Sequence, residues 1–274
     1  MEIPIKIKNL GGSADRHLMR AADQAEMIAG LQRAISYIIL SLTEERLVER
    51  VTKKSQVQIL SKAPERGSII HEMIAEIAAH PNVYAAGAFT GIATSVVGNY
   101  ITRFIDFVIK QSAGLLTDEQ YEDSARKFQR QEPYFESLVE KVEPHIASVH
   151  APINEEETIV LTIGDTNQIH FDIDTKEYTS ASNWSEETVL LTGFVSRLNL
   201  LTGNGRIYTN EHRKVLSFSQ VDAFRHTELS ELLSWSLRQK DTNLPSEVEI
   251  LARAVTSNTG RIKRLWIEGA KSIT

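Results

Sequence analysis

Residues 188–209 read TVLLTGFVSRLNLLTGNGRIYT, and whether Gly203-Asn204-Gly205 cradles a phosphate or turns a chain decides the character of the C-terminal part. A Walker loop needs GxxxxGK[ST] leading into a helix, and a dinucleotide fingerprint needs GxGxxG. Here Gly205 is followed by Arg206, Ile207 and Tyr208, which meets neither pattern. Asn-Gly between apolar alternating runs is instead a hairpin signal, because both turn residues tolerate positive φ. The stretch therefore reads as two strands, TVLLTGFVSRLNLL and NGRIYT. The related SNTGRIKRL at 257–265 reads as a second turn whose outgoing strand also starts with an arginine.

Downstream, KVLSFSQV reads as a third strand, TELSELLSWSLRQ as a helix, and SEVEILARAV and GRIKRLWIEG as two final strands. Three strands, a helix and two strands predict a small five-stranded barrel over 188–274, OB-like or SH3-like. Upstream, Ile159, Leu161 and Ile163 fall at alternate positions, and Ile169, Phe171 and Ile173 do so again across the Gly164-Asp165 turn. That is the pattern of a hairpin. Ala151-Pro152 and the charge run Glu155-Glu156-Glu157 predict a solvated linker over 151–157, separating a domain at 1–150 from a β-rich domain at 158–274.

The N-terminal domain reads as mixed α/β and helical. Ile3, Ile5 and Ile7 alternate as in a half-buried strand, which Gly11-Gly12-Ser13 ends. From Ala21 to Val51, Ala25, Ile28, Leu31, Ile35, Ile38 and Leu42 recur at three- and four-residue spacing, the mark of an amphipathic helix. Val57 and Ile59 suggest a second strand. Ile69, Met73, Ile74 and Ile77 suggest another helix, and residues 117–150 suggest two shorter ones separated near Pro133. The whole is an α+β chain.

Its least ordinary segment is VYAAGAFTGIATSVVGNYI, residues 83–101, which carries no charged side chain. Gly87, Gly91 and Gly98 fall near one face of a helix there, where missing side chains let another backbone approach. The segment reads as a glycine-rich apolar helix, buried or at a subunit contact. Insertion into a membrane is the competing reading, opposed by the scarcity of large aliphatic residues.

The 274 residues include no cysteine, which excludes disulfides, thiolate metal sites and cysteine nucleophiles and fits a cytoplasmic protein. The N-terminus lacks a basic region followed by a long apolar one, so it does not read as a secretory signal. Net charge is −6, unevenly spread: residues 188–274 hold 12 Lys/Arg against 8 Asp/Glu, and residues 1–187 hold 18 against 28. Only the C-terminal part suits a polyanion.

Candidate chemistry is sparse. His170, Asp172 and Asp174 would share one face of a strand, as metal ligands do, although a solvated face opposite Ile169, Phe171 and Ile173 needs the same alternation. Asp15 beside His17 could orient a base, but Asp15 or Ser13 is better used as a helix cap. No HExxH or GxSxG is present, so an enzyme is not expected and no cofactor is called for. The barrel brings Arg197, Arg206, Arg261, Lys263 and Arg264 near Phe194, Tyr208, Phe218 and Trp266. Cations beside aromatic rings are what single-stranded nucleic acids bind, while alternation must bury some of those rings.

GGSADRHLM at 11–19 followed by a long helix, and QVQILSKAPERGSI at 56–69, resemble the N-terminal region of an uncharacterised bacterial two-domain family with GG-x-AD-x-H and P-x-x-GS segments. The matching positions are Gly11, Gly12, Ala14, Asp15, His17, Pro64, Gly67 and Ser68. The resemblance implies an accessory gene of mobile elements or phage defence and brings no activity with it. The leading expectation is a non-enzymatic, self-associating interaction or scaffold protein, a homo-oligomer using Gly87, Gly91 and Gly98 or a partner protein. The second is a nucleic-acid-binding module using Arg197, Arg206, Tyr208, Arg261, Lys263 and Arg264, and the third is membrane association through 83–101.

Overall fold

The computed structural model describes residues 1–52, 55–62, 70–77, 94–164, 167–180, 183–220, 228–242, 244–257, 260 and 262–273. They divide into two compact units, Met1–Thr179 and Ser180–Thr274. The first contains β1 (Glu2–Leu10), α1 (Ala21–Glu44), β2 (Val57–Ser61), β3 (Ile70–Ile77), α2 (Thr94–Ser112), α3 (Asp118–Lys127), α4 (Glu132–Val149), β4 (Thr158–Ile163), β5 (Asn167–Phe171) and α5 (Ile173–Ser180). The second contains β6 (Asn183–Leu198), β7 (Asn204–Thr209), β8 (Lys214–Gln220), α6 (Glu228–Asp241), β9 (Val248–Thr256) and β10 (Ile262–Ser272). The chain is α+β, as the alternation of its patterns predicts.

In the first unit the strands form one antiparallel sheet in the order β2-β3-β1-β4-β5. Side chains alternate between faces along a strand. Ile3, Ile5 and Ile7 are therefore buried with Met73, Ala75, Ile77, Ile159, Leu161, Ile163, Ile169 and Phe171, while Pro4, Lys6 and Lys8 face solvent. The helices cover only the apolar face. At its closest, α1 leaves no room for a side chain: a Cβ on Gly30 would lie 2.6 Å from the His145 carbonyl oxygen and 2.7 Å from Ser148 Cβ of α4. Phe104, Phe107, Phe128 and Phe135 pack ring to ring, joined by Tyr121, and fasten α2 and α3 to α4. Thr117 and Gln120 form a reciprocal capping box at the start of α3, which satisfies backbone donors that a helix start leaves open.

Several expectations are corrected. Ile70–Ile77 is a strand rather than a helix: apolar residues at 73, 74 and 77 fit either period, and the edge of β1 supplies the partner that decides it. Residues 151–157 are not a domain linker, because β4 pairs with β1 and keeps them inside the first unit. Asn154 Oδ1 accepts hydrogen bonds from the Glu156 and Glu157 amides, and the turned carboxylate of Glu157 accepts from the Ser13 amide at 2.9 Å and from its hydroxyl. Ser13 is thus tied to Glu157 and Asp15 accepts from the Gly11 amide, so neither caps α1. Helix α1 stops at Glu44, where Glu45 takes a left-handed conformation, short of Val51. By length and composition alone α1 could cross a membrane, and more than half of its most apolar window is buried inside the unit. Gly87 and Gly91 lie outside the described residues. Gly98 lies in α2, and among the described residues a Cβ there would meet only Met1 Sδ at 3.7 Å, an ordinary contact rather than a close approach of backbones.

Strand β5 ends at Phe171, and Asp172 starts α5 by accepting a hydrogen bond from the Thr175 amide, so His170, Asp172 and Asp174 do not share a strand face. Buried His150 fastens α5 to the end of α4. Its Nδ1 lies 2.7 Å from the Ile146 carbonyl oxygen and its Nε2 lies 3.1 Å from Thr175 Oγ1, while the ring meets Phe171 edge-on. A carbonyl only accepts, which places the proton of the neutral ring on Nδ1.

The second unit is a closed barrel in the order β10-β8-β7-β6-β9, with β8 and β10 parallel and α6 between the third and fourth strands. This is OB-type topology. Val195, Ile207, Leu216, Phe218, Ile250, Ala252, Leu265 and Ile267 point inward and are buried. Helix α6 adds Leu229 and Leu233 to that core, and Ser236 bridges the Val195 amide to the Ser246 carbonyl.

Two outcomes follow from the first unit. Gly11 has φ +82°, and a Cβ on it would lie 2.0 Å from the Glu156 carbonyl oxygen. Gly11→Ala should lower unfolding free energy by about 2–3 kcal/mol in a denaturant titration. Burial pushes His150 down to about 4 from an ordinary 6.5. The unfolded chain therefore binds the proton first, so stability is full above pH 6.5 and falls as pH drops from there to about 4, by about 3 kcal/mol. Melting curves across that window should show a smaller acid loss for His150→Gln than for the wild type.

Candidate nucleic-acid interface

Strand register sets the outward face of β6, β7, β8 and β10. Arg197 on β6 pairs with Arg206 on β7, Arg206 with Ser217 on β8, and Ser217 with Arg264 on β10. Directly paired residues point to the same side of a sheet. Three arginines and a serine thus form one row across four strands. The row on one side contains Phe194, Tyr208 and Val215, and the row on the other contains Asn204, Ser219 and Trp266. With about 3.3 Å per residue along a strand, successive rows lie roughly 7 Å apart. A band of cations is therefore flanked by aromatic rings on both sides.

The side chains in these rows are held. Tyr208 stacks on Phe194 with centroids 5.1 Å apart and planes 18° from parallel, and Lys240 Nζ of α6 lies 4.0 Å from the Phe194 centroid. Ser219 Oγ donates to Asn204 Oδ1 at 2.9 Å, and Arg206 Nη1 donates to Ser217 Oγ at 3.4 Å. Arg206 is only 4 % exposed, whereas Arg197, Tyr208, Arg264 and Trp266 are half-buried. Around the corner of the barrel, Arg253 stands opposite Trp266 and is paired with Glu268 at 2.6 Å.

Four of the six residues expected at this surface, Arg197, Arg206, Tyr208 and Arg264, stand in adjoining rows. Arg261 lies outside the described residues. Lys263 is corrected: it sits at the register shift between Ile262 and Arg264, is buried, and does not share the face of Arg264. Phe218 points into the barrel core, because it pairs with inward-facing Gly205 and Leu265. Ser217, Ser219 and Asn204 were not singled out from the sequence. Their alternation with Leu216, Phe218 and Gly205 is the signal that could have found them.

Total charge is a weak argument here, since residues 180–274 carry 12 Lys/Arg and 10 Asp/Glu. Placement is the stronger one. No carboxylate stands among the described strand residues of the three rows. Glu211 is held by the Thr192 amide and hydroxyl, Glu247 by Asn210, Glu249 by Lys271 and Glu268 by Arg253, all outside the rows.

A separate polar feature lies in the first unit. Asn9 is 8 % exposed on the core side of β1, and neither its Oδ1 nor its Nδ2 has a hydrogen-bond partner among the described residues. His71, opposite Ile7, is its diagonal neighbour on that face; burial lowers its pKa, and its Nε2 is likewise without a partner there. The pair offers hydrogen-bond donors and acceptors and no carboxylate. Among the described residues, no group of three or more His, Asp or Glu converges as a metal site would require.

The geometry defines a two-unit α+β protein whose second unit is an OB-type barrel with a cationic, aromatic-flanked face. Residues 5–180 match the family model "Domain of unknown function (DUF7946)", and residues 187–271 match "Family of unknown function (DUF7947)". The first match spans more than half of the chain, and the protein belongs to that family. No curated protein and no solved structure matches the chain.

Because an unsatisfied buried amide is costly, Asn9→Val should raise stability by about 1–2 kcal/mol. Chemical denaturation of the two proteins side by side measures it, and an unchanged or lower stability would show that Asn9 is satisfied in solution.

Proposed function

We propose that the protein is a binding module for single-stranded nucleic acid, carried by the outward face of β6, β7, β8 and β10. The observation that carries the reading is the row Arg197, Arg206, Ser217 and Arg264 between the aromatic rows of Tyr208 and Trp266. Guanidinium groups supply the salt-dependent attraction to phosphates, and rings beside them accept unstacked bases. A duplex keeps its bases stacked inside and cannot use such rings, which favours a single strand. Arg197 and Arg264 contact phosphates. Buried Arg206 fixes the positive potential between them, and the stacked Phe194–Tyr208 pair is extended by a base. Binding is the role that suits these residues, since the described members of the rows are cationic, aromatic, hydroxyl, amide or aliphatic.

Self-association through Gly87, Gly91 and Gly98 has less behind it: Gly87 and Gly91 lie outside the described residues, and among those described Gly98 makes only an ordinary contact with Met1. Light scattering of Gly98→Leu against the wild type tests it directly.

The binding reading predicts that fluorescence anisotropy with a labelled 20-nucleotide single strand gives an affinity that falls as salt rises. Arg197→Ala combined with Arg264→Ala should lower the slope of log affinity against log salt by about 1.4, the loss of two single-strand phosphate contacts. Tyr208→Ala and Trp266→Ala should each weaken binding by about 1–3 kcal/mol with little change of slope. Absence of salt-sensitive binding to DNA and RNA strands of mixed sequence would refute the reading.

A further inference from the structure

The turn joining β6 to β7 displays two large apolar side chains at its tip: Leu200 is 60 % exposed and Leu201 is 86 % exposed. Their backbone is tightly held. Buried Asn199 accepts hydrogen bonds through Oδ1 from the Leu201 amide at 2.9 Å and the Thr202 amide at 3.3 Å. Its own amide donates to the Asn204 carbonyl, the Gly203 amide returns to the Asn199 carbonyl, and the Gln220 amide donates to the Gly203 carbonyl. The leucines are thus presented to solvent by a fixed frame.

The tip ends the path defined by the three rows. Along the strands, the Phe194–Tyr208 row is followed by the arginine row, then by the Asn204–Trp266 row, and then by Leu200 and Leu201. Arg197 lies three residues before Leu200, which puts them at most about 10 Å apart along the chain. A strand laid along β6, from the Phe194–Tyr208 row past Arg197, reaches the leucines with its next bases. Apolar side chains that meet nucleic acid act as wedges against base steps, where they replace base–base stacking.

We infer that Leu200 and Leu201 abut the terminal base pair where a single strand becomes a duplex, so that the preferred ligand is a single-strand/double-strand junction. This rests on the single-strand reading of the rows and specifies its substrate class. The cationic row behind the tip matches the single-stranded phosphates, and the apolar tip matches the exposed face of the last base pair. A blunt duplex supplies only the second, and a free strand only the first.

The test measures the affinity of the full chain by anisotropy for a 20-nucleotide strand, a blunt 20-base-pair duplex, and the same duplex bearing a 15-nucleotide tail at either the 5′ or the 3′ end. Wild-type protein should prefer one tailed duplex over the free strand by at least about tenfold, the lower end of what burying a single leucine side chain is worth. In Leu200→Ser/Leu201→Ser that ratio should fall to about one; both side chains are exposed, so the change leaves the barrel core intact. Wild-type protein that binds the free strand and both tailed duplexes equally would overturn the inference while leaving the single-strand reading standing. No binding to any of the four ligands would overturn both. Binding to vesicles containing phosphatidylserine that the double variant loses, with no junction preference, would assign the tip to lipid and overturn the inference as well.

Discussion

Strand β1 lies in the middle of its sheet, and a central strand must have both edges hydrogen-bonded because its backbone groups are cut off from water. One edge is closed by β3 and the other by β4, which begins at Thr158. The organisation of the first unit follows from that demand. The chain crosses the apolar face of the sheet as α1, α2 and α4 and returns beside its own beginning, so Glu157 arrives at the Gly11–Ser13 turn and bonds to Ser13. The GG-x-AD-x-H stretch takes its meaning from the same return. Gly11 lets the Glu156 carbonyl approach, Asp15 accepts from the Gly11 amide, and Ala14 is buried beneath the turn. It is a clasp rather than a reactive site.

In the barrel the governing constraint is closure. Five strands joined edge to edge leave no open ladder, so the outward face of β6, β7, β8 and β10 is a continuous surface with fixed row spacing. Four carboxylates of the unit, Glu211, Glu247, Glu249 and Glu268, are held outside those rows by Thr192, Asn210, Lys271 and Arg253. The barrel spans most of the second family match, and the break between the two matches, between residues 180 and 187, falls where the compact units divide.

Much of this architecture is legible in the residues themselves. Ile3, Ile5 and Ile7 announce β1 and the order of elements after 188 announces the barrel; the hairpin expected at Asn204-Gly205 is present, but its turn lies at 199–203, where Gly203 has φ +72°, and Asn204 and Gly205 already belong to β7. What the sequence hides is non-local. His-Glu-Met-Ile-Ala-Glu-Ile at 71–77 satisfies helical and strand periods alike, and only the pairing of Met73 with Ile5 chooses between them. Glu155-Glu156-Glu157 looks like solvated linker until Ser13 is placed against it. The close helix contact expected at Gly98 occurs at Gly30, which no pattern of spaced glycines marks. At the candidate interface, the residue types were readable but their shared row was not. Lys263 looks equivalent to Arg264 until the register shift beside Ile262 separates them.

The position of β4 also bears on how the chain is made. Leu10 ends β1 and Thr158 begins its partner, so the first strand leaves the ribosome with one side of its ladder encoded nearly 150 residues downstream. At about 5–20 residues per second, translation takes roughly 7–30 s to deliver that partner. Throughout that interval Ile3, Ile5 and Ile7 present an apolar, half-paired strand to the cell, and Gly30 of α1 awaits the His145–Val149 stretch of α4. Completion of the first unit is therefore coupled to synthesis of its last strands, whereas the barrel, whose strands all lie within the final 92 residues, closes over short sequence separations once it has emerged.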